Sequence, residues 1–193
     1  MIRAAPKEAV RTIAADYRQT GGVRLIDSDG YRLNLALPLL NAHGQLFWGR
    51  RADGQGWQVA QGGIDAGESE EQTIARELYE ELGLRLEDEV RVLGCSDWHR
   101  YEVPANVLLR HRRRVSWVGQ KQRWYLLQLR AGEDRIAFDR TPAKPEFDDW
   151  RWVSYWHPIS ACVDFKRAVY RKALLELAPL VFQLERPPAE RHA

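Results

Sequence analysis

Three carboxylates spaced within about one helical turn are the chemically loaded part of this chain. Glu77, Glu80 and Glu81 fall at i, i+3 and i+4 within Gly62 to Leu84, GGIDAGESEEQTIARELYEELGL. On a helix that spacing puts all three on one face. Like charges so placed repel one another, and a bound cation turns that cost into a gain. Oxygen-only ligands suit Mg²⁺ or Mn²⁺, hard ions that bind through a few carboxylates and share substrate phosphates. The chemistry implied is metal-assisted work on a phosphate chain. A solvated, Glu-rich helix face is the commoner fate of such residues. Four glutamates, an arginine and the glycines at these offsets together speak against it here.

The elements that must hold these groups are legible around them. Ser69-x-x-Gln72 is a capping-box pattern, so the helix is expected to start at Ser69, with Glu70 and Glu71 in a first turn whose dipole favours acids. Ile74, Ala75, Leu78 and Leu82 form the apolar stripe, the three glutamates lie on another face, and Gly83 is the expected stop. Ahead of the helix, Gly62, Gly63 and Gly67 make a loop whose backbone can approach a phosphate or metal closely. Arg76 and Glu68 are placed to brace loop against helix.

The fixed positions Gly62, Glu68, Arg76-Glu77-Leu78, Glu80-Glu81 and Gly83-Leu84 match the pattern G-x5-E-x7-R-E-U-x-E-E-x-G-U, with U a bulky aliphatic residue. The chain thereby resembles the Nudix hydrolases. That resemblance implies an α/β fold, the Nudix α/β/α sandwich with a mixed central sheet and a loop–helix–loop at the site. It implies that divalent cations at Glu77, Glu80 and Glu81 help water cleave a nucleoside diphosphate linked to another group. Arg76 joins the catalytic set by the same match, and Gly62 joins the metal-binding positions. Gly62, Glu68 and Gly83 are structural members of the motif.

A longer set of segments, IDSDGYRLN, FWGRR, WQVAQGG, GQKQRWYLLQL, PEFDDWRWVSYW and VDFKRAVYR, is similar to the bacterial RNA 5′-pyrophosphohydrolases. This likeness covers Ile26 to Phe182. It implies a substrate, 5′-triphosphorylated RNA, with dinucleoside polyphosphates as the alternative. It also implies roles. Glu146 matches a distal metal-binding glutamate, adding a metal contact or orienting water. Arg32 and Lys166 match positions near the phosphate chain or the first bases. Phe165 and Lys166 with Arg51, lined by Val163, match a pocket for a base near the 5′ end. Periodicity alone leaves Phe165 equally open to core packing. An arginine inside the apolar first strand needs a partner, which favours a functional Arg32. Trp57 and Gln58 are further candidates for substrate contact. Two departures stand beside the site: Arg32-Leu33-Asn34 where the family carries Arg-Pro-Asn, and Val59-Ala60 where it carries Phe-Pro. A non-catalytic binding module is disfavoured because all three helix glutamates are present.

At 193 residues the chain is long enough for one domain with a sizeable core. The expected domain spans 25–183, between an extension, 1–24, and a tail, 184–193, that holds Pro187-Pro188. Apolar residues make up 45% of the chain without a long run, which points away from a membrane span or secretory leader. Cys95 and Cys162 read as buried thiols of a reducing cytoplasm. A net charge of +2 leaves any nucleic-acid affinity to local patches. The strongest such patch is Arg110, Arg112, Arg113 and Arg114, with Lys121 and Arg123. Nothing points to DNA, and the sequence is silent on a protein partner.

Val10, Ile13, Ala14 and Tyr17 have helical spacing. A capping helix, a loose arm and a start mis-called upstream, with initiation at Val23 instead, all remain open for that segment. Strands are expected at Leu35–Leu40 and Gln45–Gly49, joined as a hairpin, and at Val90–Gly94, Trp117–Leu129 and Trp150–Tyr155. A closing helix is expected over Phe165–Phe182.

Overall fold

A computed structural model of the chain describes residues 17–20, 24–108, 117–140 and 144–184. Its organising strand is β3 (Tyr31–Leu37), whose side chains alternate between two cores as the pleat requires. Leu33, Leu35 and Leu37 enter one core, and Ala36 enters the other. Before β3 come β1 (Tyr17–Thr20) and β2 (Arg24–Asp27), and after it β4 (Leu39–Leu40), β5 (Leu46–Arg51), β6 (Trp57–Gln58) and β7 (Ala60–Gly63). Helix α1 (Glu70–Leu82) and β8 (Val90–Glu102) follow, then α2 (Ala105–Leu108), β9 (Gly119–Leu129) and β10 (Phe147–Val153). The chain closes with α3 (His157–Ala161) and α4 (Arg167–Leu184).

The sheet is mixed. Its path runs β1-β2-β3-β9-β4-β5-β10, with β7 added on β3, β8 on β9 and β6 on β5. Strands β3 and β4 run parallel to β9, and the other pairings are antiparallel. Helix α1 covers one face through Ile74, Leu78 and Leu82, and α4 covers the other through Val169, Tyr170, Ala173, Leu174 and Leu177. The α/β/α sandwich with its loop–helix–loop is thus present. The expected Leu35–Leu40 strand is divided at Pro38: residues 35–37 belong to β3, and only Leu39–Leu40 pairs with Leu46–Arg51 as the hairpin, its turn held by Asn41 Oδ1 accepting from the His43 and Gln45 amides.

Several boundaries differ from the sequence expectation. Strand β8 runs to Glu102, well beyond Gly94, because register shifts at Val92/Gly94 and Cys95/Trp98 let it follow β9 past irregular stretches. Helix α4 begins at Arg167, and Asp164–Lys166 forms a separate 3-10 turn before it. The last strand starts earlier, at Phe147, and ends at Val153. Tyr17–Thr20, at the end of the segment for which helical spacing left a capping helix open, is a strand paired with β2 in register Tyr17↔Asp27 to Thr20↔Arg24. The rest of the 1–16 segment, the arginine run 110–114 and the tail beyond 184 lie outside the described residues. Cys162 is buried, whereas Cys95 is only half-buried, and neither is in a disulfide.

The two departures from the family pattern are core positions. Leu33 and Ala60 are buried in the α1-side core and Val59 in the α4-side core. The Val59 N–H donates to the Tyr170 hydroxyl at 3.4 Å.

Candidate active site

Helix α1 carries the site because its start and stop are fixed locally. The Ser69 hydroxyl accepts from the Gln72 amide at 3.1 Å while the Gln72 side chain accepts from the Ser69 amide at 2.8 Å, a complete capping box. Gly83 ends the helix in the left-handed region at φ 68°, and its N–H returns to the Tyr79 carbonyl. Two of the three glutamates on the acidic helix face are withdrawn from solvent. Glu77 is 5% exposed and Glu81 8%, because α1 lies against β7 and turns that face toward its backbone. Only Glu80 points outward, with its side chain 48% exposed.

Gly62 explains how Glu77 fits. A Cβ built there would overlap the Glu77 carboxyl carbon and both its oxygens. The residue before it, Gln61, donates its backbone N–H to Glu81 Oε2 at 3.0 Å. Two successive β7 residues thus accommodate two glutamates of α1.

Arg76 ties the loop to the helix. Its Nε and Nη2 donate to the two oxygens of Glu68 at 2.7 and 2.9 Å, and Nη2 also donates to the Gly63 carbonyl at 2.9 Å. Its Nη1 reaches Glu77 at 2.5 Å and Glu80 at 3.3 Å. Glu68 also accepts from the Asp65 amide and the Thr73 hydroxyl. Burial works to raise the Glu68 pKa, but these donors outweigh it and hold the carboxyl at about 2. Glu81 is driven the other way: burial, then the neighbouring Glu77 and Glu146 charges, push its carboxyl well above the usual carboxylate range.

Glu146, just before β10, is brought across by strand pairing. Phe147 is opposite Arg51 in the β5–β10 ladder, and the Ala52 amide donates to the Glu146 carbonyl at 2.9 Å. The Glu146 carboxylate is engaged by the Arg51 guanidinium, which also holds Asp53. Gln58, 3% exposed, joins the pocket by donating to Glu146 at 3.3 Å and accepting from the Lys166 ammonium at 3.2 Å. Burial, reinforced by the nearby Arg51 charge, lowers Lys166 to about 8.

The expected base pocket is brought together in part. The Phe165 ring is half-buried, packs on the α4-side core and lies 6.0 Å from the Tyr101 ring. The Lys166 ammonium lies 6.0 Å from the same ring. Arg32 and Arg51 are close enough to counter the upward push of burial on the Tyr101 hydroxyl. Val163, 38% exposed, caps the 3-10 turn. Arg51 is drawn to Glu146 and Asp53, so it is no free stacking plane in this arrangement. Lys121 and Arg123 pair with Asp27 and Glu70, which removes them from any RNA-tracking patch. Trp150 and Trp152 pack on the α1-side core, and Trp57 lies under the Arg151 guanidinium at 4.5 Å.

Sequence reasoning missed Tyr101 and a set of amides, Asn34, Gln61, Gln120 and Gln122. The available signal was Gln120 and Gln122 at alternate positions of β9, on the face that Trp124 and Leu126 continue into the core.

The donor set suits a hard divalent cation: carboxylates crowded together, with Glu77 and Glu81 buried and Glu81 pushed up by burial first and then by the neighbouring charges. Among the described residues no three His, Cys, Asp or Glu groups already form a metal cage. Arg76 holds Glu77, and Arg51 holds Glu146.

Comparison with known proteins agrees with this geometry. The chain matches the NUDIX domain over residues 30–173. It is 50% identical over 156 residues to an RNA pyrophosphohydrolase of Stutzerimonas stutzeri, covering 80% of this chain and 96% of that one. This chain belongs to the Nudix family, among its RNA pyrophosphohydrolases. A relative of the same name from Vibrio cholerae is 50% identical over 157 residues, 81% of this chain and 90% of that protein. Among solved structures, the E. coli dihydroneopterin triphosphate pyrophosphohydrolase aligns with TM-score 0.55 at 17% identity, covering 74% of this chain and 94% of that one. A C. elegans Ap4A hydrolase complex aligns with TM-score 0.54 at 16% identity, covering 76% and 98%. These structural matches establish the Nudix fold. The chain is accordingly a hydrolase of the Nudix class.

Proposed function

We propose that this Nudix chain removes pyrophosphate from the 5′ end of triphosphorylated RNA, leaving a 5′-monophosphate, in the cleft between α1, β7 and the Asp164–Lys166 turn. The observation that carries the reading is two buried carboxylates, Glu77 and Glu81, set against β7 in a chain half identical to RNA pyrophosphohydrolases over 80% of its length.

Glu77, Glu80, Glu81 and Glu146, with the Gly62 carbonyl, would hold Mg²⁺ or Mn²⁺. When bound, such ions position phosphates, neutralise their charge and lower the pKa of water. Arg76 keeps Glu77 oriented, and the Gln61 N–H keeps Glu81 in place. Lys166 and Arg32 present positive charge to the phosphate chain, and Phe165 beside Tyr101 offers a ring on which a base can stack. A water oxygen bonds to phosphorus, the α–β anhydride bond breaks and pyrophosphate leaves. Positioning and electrostatics do most of this work, so no Ser, Cys or His nucleophile is required. The product end is the one favoured by endonucleases that begin messenger decay, so the proposed role is triggering RNA turnover in the cytoplasm. Among the described residues no helix is long and apolar enough to cross a membrane.

The test is conversion of a short 5′-triphosphate RNA in Mg²⁺. Stoichiometric pyrophosphate and 5′-monophosphate RNA, abolished by chelation and by Glu81→Gln, support the reading. Intact RNA at high enzyme concentration overturns it.

A further inference from the structure

Four uncharged amides line the α4-side face of the sheet beside the catalytic carboxylates. Asn34 on β3 sits opposite Gln122 on β9, and Gln120 lies two residues earlier on β9. Gln61 on β7 is opposite Ala36 on β3. Gln122 is fully buried at 0% exposure, and its Nε2 donates to Asn34 Oδ1 at 2.8 Å, Gln61 Oε1 at 3.1 Å and Gln120 Oε1 at 3.2 Å. A single NH₂ group therefore gathers three side-chain oxygens. The Tyr101 hydroxyl donates to the same Gln120 oxygen at 2.8 Å.

Holding three amide oxygens inward leaves their three NH₂ groups as the outer ends. None of these has a hydrogen-bond partner among the described residues, and none is sealed from solvent. Gln122 Oε1 has the opposite fate, buried and without a partner. An orphaned buried acceptor is destabilising, and turning the amide over would exchange the roles of all four groups. The position of the floor is informative too. It begins at Gln61, whose backbone holds Glu81, and ends at Gln120 under Tyr101, whose ring borders Phe165 and Lys166.

We infer that Gln122 is a positioning residue: it turns the NH₂ groups of Asn34, Gln61 and Gln120 toward the cleft, as a neutral donor floor for the oxygens of the substrate's phosphate chain. The inference rests on the proposed reading of this cleft as a polyphosphate site, and it assigns no bond-making role to Gln122. Neutral donors suit a place already bordered by Arg32, Arg51 and Lys166, where a further cation would be repelled.

The test is calorimetric titration of the full chain with inorganic tripolyphosphate in Mg²⁺, with Mg²⁺ alone as a second titration. Gln122→Met keeps size and neutrality but frees the three amides, and should weaken tripolyphosphate binding about tenfold while leaving Mg²⁺ binding unchanged. Gln122→Glu, a pure acceptor that draws NH₂ groups inward and adds charge, should weaken it further, by about a hundredfold. Gln61→Met removes one outer donor and leaves Gln122 intact, so it decides the matter if Gln122→Met does not fold. Its expected loss is about three- to fivefold. Wild-type affinity in a folded Gln122→Met, or in Gln61→Met should the former not fold, overturns the inference. A wild type that binds tripolyphosphate but leaves triphosphate RNA uncut removes the RNA reading and leaves the floor standing.

Discussion

Replacing Gly62 with alanine perturbs the account where it is most specific. The added methyl would overlap all three carboxyl atoms of Glu77, against an ordinary contact distance of at least 3.4 Å. Gly62 does not have a positive φ, so alanine brings no backbone strain of its own. Glu77 is buried and tied to Arg76, and β7 is locked in its ladder with β3, so the carboxyl must retreat by more than about 1 Å. A misplacement of about 1 Å can cost roughly a hundredfold in rate. The expected outcome for Gly62→Ala is therefore a kcat lower by about a hundredfold on triphosphate RNA, with weaker Mg²⁺ binding by calorimetry and a cooperative melt. A folded Gly62→Ala enzyme within threefold of wild type would refute the reasoning, because Glu77 would then be dispensable at its present position.

Glu80→Gln keeps size and removes one carboxylate charge, and should cut turnover by roughly a hundredfold; comparable activity in steady-state assays sinks the metal assignment. Arg76→Ala removes the brace between loop and helix. Its pairs are partly exposed, so the loss is set at about 2 kcal/mol rather than the larger value of a fully buried pair, a Tm about 4–8 °C lower by calorimetry. Lys166, lowered to about 8 by burial and Arg51, carries its charge below that pH and loses it above. On the free enzyme kcat/KM should therefore fall as pH rises through about 8, and Lys166→Arg should abolish that limb of the profile.

Local signals were the ones legible in the sequence. Ser69, Gln72 and Gly83 set the ends of α1 through neighbours a few residues away, and they act as read. Of the apolar stripe of α1, Ile74, Leu78 and Leu82 enter the core as read. What stayed hidden depends on register between distant strands. The burial of Glu77 and Glu81 follows from where β7 meets α1, and no periodicity in α1 alone reveals it. The Arg51–Glu146 pair spans 95 residues and exists because Phe147 pairs with Arg51 in the sheet. Strand β8 outran its expected end because bulges let polar and apolar residues break the alternation. In sequence Gln122 stands among Gln120, Lys121 and Arg123, and only the pairing of β3 with β9 and β7 brings Asn34 and Gln61 around it.

The central claim is tested most directly by initial rates on a 5′-triphosphate RNA and on diadenosine tetraphosphate, compared in Mg²⁺ for wild type and Phe165→Ala. The account predicts a large preference for RNA that Phe165→Ala weakens, since only the RNA carries a base joined on the 3′ side of its first nucleotide to reach that ring. A preference for the dinucleotide, untouched by the substitution, would contradict it.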